Sequence, residues 1–145
     1  MNWSSIVRFR KQVEDMIKEE LALAVWEKSQ EITKQQILQE DLDTISLELE
    51  RNLPHGIGGA FTEERYRWLE ETSQRVERQA HVLKEREKKI ETLQEKLQQA
   101  YHERRIIEMI MTKQETQRQH QRMKYEQQEQ DELSGMRLFG RREGR

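Results

Sequence analysis

A chain of 145 residues with 37% charged against 33% hydrophobic side chains, and a mean hydropathy of -1.13, is too polar to close on itself as one compact globule. The net charge of -2 sets up no field that would recruit nucleic acid or an anionic membrane, and the lack of cysteine excludes a disulfide framework and a thiolate metal site. Composition leaves either disorder or long helices that bury one narrow stripe, and the many periodic apolar positions decide for helices. The segment MNWSSIVRFRKQVEDM lacks the apolar core of a signal peptide, and no apolar run approaches the roughly 20 residues of a membrane span. A cytoplasmic protein is expected.

Helix 1 is predicted over 4–51. Its stripe is Ile6, Phe9, Val13, Met16, Ile17, Leu21, Ala24, Val25, Ile32, Leu38, Leu42, Ile45 and Leu49, with Leu53 just beyond, mostly at spacings of three and four. Ser4 or Ser5 supplies the N-cap. The seam is cleanest from Leu42 to Leu49 and drifts between Lys28 and Gln36. Leu53 precedes the only proline, Pro54, which biases it out of the helical region and stops the helix near Asn52. A hairpin tip follows over 52–61, where Pro54, Gly56, Gly58 and Gly59 concentrate the breakers.

Helix 2 is predicted over 62–133, capped by Thr62 with Glu63 and Glu64 in the first turn, where the helix dipole favours negative charge. Leu69, Val76, Leu83, Ile90 and Leu97 repeat every heptad. The complementary position is assigned to Tyr66, Ser73, Ala80, Glu87, Gln94 and Tyr101, which makes a thin seam. From Ile90 the stripe then rotates through Leu93 and Leu97 to Ala100, Ile107 and Ile110.

At a rise of about 1.5 Å per residue the helices would measure roughly 72 Å and 108 Å, and neither can bury its stripe alone. The short connection predicts an all-α fold, an antiparallel two-helix coiled-coil hairpin with a longer second helix. Folding back about Gly56 sets Leu49 near Tyr66, Leu42 near 70–73 and Ile6 near 107. Trp3, Ile6 and Phe9 would then lie against the apolar patch Ile106, Ile107, Met109, Ile110 and Met111. The competitor is a parallel dimer of helix 2, which leaves helix 1 without a partner.

From about residue 112 helix 2 outruns helix 1. This overhang holds seven glutamines and few large apolar side chains (Met123, Tyr125, Leu133), so alone in water it is marginal, and is read either as a frayed, solvated end or as a probe ordered on insertion into a partner. Residues 134–145 leave the helix at Gly135 and are expected as a disordered basic tail.

No constellation of catalytic residues is found. GIGG at 56–59 has no following Lys-Ser/Thr, and His55, His81, His102 and His120 lie too far apart to share a metal. Carboxylates on exposed helix faces meet nothing that would tune them for acid–base work. No enzyme, cofactor, metal or small-molecule substrate is expected. Nucleic acid is not expected either, since acids interleave the arginines and no aromatic stacking platform accompanies them.

The chain resembles the flagellar export protein FliJ family and, more distantly, the equivalent stalk protein of type III secretion systems. The resemblance rests on length, on the Phe9 helix followed by Glu14 and Glu20, and on one break near a third of the chain. It continues through Gly58, Gly59, Tyr66, Trp68, Leu69 and Val76 to the segment YEQQEQDEL, Tyr125–Leu133. Thr72 and Ser73 depart from it, standing where an aliphatic seam residue is common. The resemblance implies a stalk that binds the hexameric flagellar export ATPase, engages the export gate membrane protein and assists export chaperones. Such a protein would be a monomer when free, peripherally associated with the inner membrane at the flagellar base. It places ring contacts at Trp3, Ile6, Phe9, Arg118, Arg122 and Tyr125, and gate contacts at Trp68, Leu69 and Val76. A generic coiled-coil adaptor or dimerising scaffold without ATPase coupling is the alternative.

Overall fold

The first helix, α1, spans Trp3–Asn52 and the second, α2, spans Gly59–Glu143 in the computed structural model, which describes residues 2–52 and 59–143, the side chains of 141–143 excepted. There is no strand among the described residues, and the fold is the all-α antiparallel two-helix hairpin with a longer second helix. Leu53, Pro54, Gly56 and Gly58, on which the predicted tip rests, lie outside the described residues. Gly59 is the first residue of α2.

The helix ends differ from the sequence reading. Asn2, rather than Ser4 or Ser5, caps α1: its side-chain Oδ1 accepts from the Ser5 amide and its carbonyl from the Ile6 amide, both at 3.4 Å. Asn is as good a cap as Ser, and Asn2 lies three residues before the free amide it satisfies. Thr62 lies inside α2 rather than at its start. At the far end α2 runs through Gly135 to Glu143, where a tail leaving the helix was expected. A single glycine in a helix costs about 1 kcal/mol relative to alanine, which the helix formers around it can absorb.

The described chain divides into two compact units, Val13–Gln99 and Met1–Gln12 with Ala100–Arg145. Within Val13–Gln99 the pairing is antiparallel. Arg86 of α2 binds Glu27 of α1 at 2.6 Å, and Arg65 binds Glu48 at 3.3 Å. The step from Glu27 to Glu48 along α1 equals the step from Arg86 back to Arg65 along α2, so the two helices keep register. The Glu48–Arg65 pair also confirms the predicted neighbourhood of Leu49 and Tyr66.

Two interlocking heptad positions on each helix form this seam. On α1 they are Glu14, Leu21, Lys28, Gln35, Leu42 and Leu49, alternating with Ile17, Ala24, Glu31, Leu38, Ile45 and Asn52; each is at least partly buried. Ala24, Ile45 and Leu49 are the most buried apolar residues of α1, at 1%, 4% and 6% exposure. The seam does not drift between Lys28 and Gln36. It continues through polar side chains, which a search for apolar periodicity passes over. Met16, Val25 and Ile32, counted in the predicted stripe, are instead exposed, as is Phe9.

On α2 the predicted heptad Leu69, Val76, Leu83, Ile90 and Leu97 is in the seam. Its complement is Arg65, Thr72, Gln79, Arg86 and Leu93, one residue earlier than predicted. Tyr66, Glu87, Gln94 and Tyr101 are exposed, and only Ser73 and Ala80 of the predicted set are half-buried. The supposed rotation after Ile90 is therefore absent. Leu93 is buried because it continues the series from Thr72 and Gln79. The error came from choosing an aromatic, Tyr66, over an arginine, Arg65, whose aliphatic stem lies along the seam while its head stays in contact with Glu48.

Candidate interaction surfaces

In the unit formed by residues 1–12 and 100–145, Arg10 of α1 binds Glu103 of α2 at 2.7 Å, in keeping with the predicted neighbourhood of Ile6 and 107. Trp3, Ile6, Val7 and Ile107 are half-buried there, and Ala100 is buried. The N-terminal cluster does not cover the whole apolar patch. Ile106 and Met109 remain 57% and 64% exposed because they sit off the seam. Val7, Ile106, Met109, Ile110 and Met111 line an open depression of about 880 Å³, edged by the cations Arg105 and Lys113. Val7 was not singled out in the sequence; its heptad step to Glu14 was the available signal.

Next to it lies a smaller polar groove of about 450 Å³, lined by Trp3, Gln114, Gln117, Arg118 and Gln121. Two of the predicted ring residues, Trp3 and Arg118, are thus brought together. Ile6 is half-buried in the pairing, Phe9 is 61% exposed away from the seam, and Arg122 and Tyr125 are exposed farther along α2. Every residue from 109 to 140 is exposed.

The electrostatics between these regions are local. Glu108 accepts from Arg104 at 2.6 Å and from Arg105 at 2.9 Å, and these hydrogen bonds, Arg104 first, hold its carboxyl below the usual range. The Arg104 guanidinium also lies 5.3 Å from the Tyr101 ring centroid, a cation–π distance.

The predicted gate residues lie in the other unit. Trp68 is 50% exposed, whereas Leu69 and Val76 are half-buried seam residues. Phe61 and Tyr66 are also exposed near the start of α2, and Arg65 stacks over Phe61 at 5.0 Å. On α1, Met16, Leu23, Trp26 and Ile37 expose a further apolar stripe, of which the sequence reading named only Met16 and placed it in the buried seam. Among the described residues no group of three or more His, Asp or Glu side chains is placed to hold a metal, and no helix is long and apolar enough to cross a membrane.

No curated protein and no solved structure matches the chain. The flagellar FliJ protein family does, over residues 3–143, a range that takes in the whole of both helices. With two antiparallel helices, a longer second helix and a match of that extent, the chain belongs to the flagellar FliJ family and has a flagellar export-related function.

Proposed function

We propose that the chain acts as a central stalk of flagellar type III export, binding the hexameric export ATPase through its terminal unit and the export gate through the early part of α2. The observation that carries this reading is the α2 segment beyond Trp3, a single helix exposed on every side from residue 109 to 140. A lone polar helix of this kind fits a water-lined central pore. There one asymmetric element must touch the surrounding subunits unequally, as coupling to a hydrolysis cycle requires. Trp3 and Arg118 line one groove at the base of this helix and are assigned to ring contact, with Ile6, Phe9, Arg122 and Tyr125 around them. Trp68 is assigned as the gate anchor, because a half-exposed tryptophan offers the large contact area that dominates interface energy. Leu69 and Val76 support it from the seam. The role is non-enzymatic and takes in delivery of export chaperones at the inner face of the membrane.

Titration into the cognate flagellar export ATPase tests this directly. Hydrolysis or hexamer assembly should rise with added chain, and Arg118→Ala combined with Trp3→Ala should blunt the rise by about tenfold or more in half-saturating concentration. A flat titration would leave the chain as a coiled-coil adaptor without ATPase coupling.

A further inference from the structure

The stripe Met16, Leu23, Trp26 and Ile37 on α1 is 54–62% exposed, and it is ordered on the same repeat as the seam. Met16, Leu23, Gln30 and Ile37 follow at seven-residue steps, each two residues past a seam position, and Trp26 comes three after Leu23. Because α1 and α2 pair on that repeat, a second stripe of the same period keeps a fixed angle to the seam. It does not wind round the helix by about 20° per heptad, and runs straight for about 32 Å. The paired stretch of α2 has no counterpart: from Glu70 to Gln99 every exposed residue is polar. Charge is sorted around the stripe too. Residues 13–48 hold ten carboxylates against three lysines, in a chain whose overall charge is -2. Glu27, Glu31 and Glu48 are paired with cations, and Lys28 and Lys34 are taken up in such pairs. Glu19 and Glu20 stand one turn from both Met16 and Leu23, and Glu40 and Asp41 one turn from Ile37. Among the described residues none of these four makes an ion pair.

We propose that this face of α1 takes one helix of a partner protein, apolar on a heptad repeat and basic beside its apolar positions, laid along residues 16–41 as the third helix of the coiled coil. The whole footprint lies within Val13–Gln99. Apolar residues at heptad steps form the holes that a partner's side chains enter, and a half-exposed tryptophan in mid-stripe supplies the contact area that dominates such interfaces. At about 100° per residue, Glu19 and Glu20 fall on opposite sides of the stripe, as do Glu40 and Asp41. A cation on either flank of the partner helix therefore finds a carboxylate without one of its own. The same carboxylates turn other occupants away. An anionic lipid surface or a nucleic acid meets like charge, and a second copy of this chain would set acid against acid. The face shares no residue with the ring and gate assignments, and its occupation does not rest on the stalk reading.

Anisotropy titration of the full chain into a labelled synthetic helix tests it, the peptide having about four heptads with leucine at the two apolar positions and lysine or arginine beside them. The basic peptide should bind one to one, and a version with glutamate in place of every cation should not. Its affinity should fall between about 0.05 and about 0.5 M salt. Leu23→Gln with Trp26→Gln should weaken binding about tenfold or more while far-UV helicity is kept, since both residues are exposed. Glu19→Lys and Glu20→Lys combined with Glu40→Lys and Asp41→Lys should exchange the preference, so that the acidic peptide binds and the basic one does not. An unfolded variant could not do that. A dye on Gln30→Cys, in a chain with no native cysteine, should respond to the peptide, and the same dye on Gln74→Cys of α2 should not. The proposal is overturned if the basic peptide fails to bind, binds no better than the acidic one, ignores the stripe substitutions or is reported by the α2 dye alone. Self-association, or binding to anionic vesicles, that Leu23→Gln with Trp26→Gln abolishes would give the face to another occupant and overturn it equally.

Discussion

Glu31 holds a seam position, and its carboxyl is held below the ordinary value chiefly because Gln79 donates a hydrogen bond to it, with Lys34 adding a favourable charge. A carboxyl depressed on folding contributes stability that is present above its unfolded pKa and is lost as pH falls through the lower, folded value. The melting temperature should therefore drop on acidification through and below the ordinary carboxylate range. Gln79→Ala should flatten that acid limb, and an unchanged limb in thermal melts across pH would assign the effect elsewhere. Leu49, at 6% exposure, is a packing residue, and Leu49→Ala should cost about 2–4 kcal/mol in urea unfolding. Trp68 belongs to the other kind. Trp68→Ala should weaken binding to the gate protein while far-UV helicity survives, and a loss of helicity would make Trp68 structural. The sequence separated these two classes where the seam was apolar: Leu69 was placed in it and Trp68 one step off. It failed where the seam was polar, because Arg65, Gln79 and Glu31 pack their stems inward while the residues beside them look more hydrophobic on paper.

At the scale of elements, helix existence was plain from the spacing of Leu69, Val76, Leu83, Ile90 and Leu97, and helix ends were not. Asn2 caps α1 in place of Ser4 or Ser5 because a cap is chosen by backbone geometry, and three of the first five residues could have served. Gly135 was read as a stop, yet α2 passes through it, with open space where a Cβ would stand at both Gly135 and Gly140. Gly135→Ala should therefore fit without strain and stabilise the end of α2 by about 0.5–1 kcal/mol, visible as slower amide exchange around residues 130–140. No change in exchange there would mean that the segment is already held by something other than helix propensity. The exposed stripe Met16, Leu23, Trp26 and Ile37 escaped for a different reason, with Met16 counted in the seam and the others passed over: its spacing mimics a buried face, and only the pairing partner tells which of two apolar stripes is the inner one.

At the scale of the whole molecule, family membership and the two-helix fold fix a flagellar export role, and the ATPase titration decides whether that role is a stalk. The polar layers of the Val13–Gln99 pairing have a mechanical side. If α2 slid by one heptad in one direction, Glu27 would meet Leu93 and Glu48 would meet Thr72; in the other, Glu27 would meet Gln79 and Glu31 would meet Thr72. The first slip leaves Glu27 and Glu48 without an arginine and sets Arg86 opposite Lys34, whereas the second offers Arg86 and Arg65 the carboxylates of Glu20 and Asp41. The two helices of this unit are therefore toothed against sliding in one direction, and a load applied that way along one is shared by the other rather than relieved by creep.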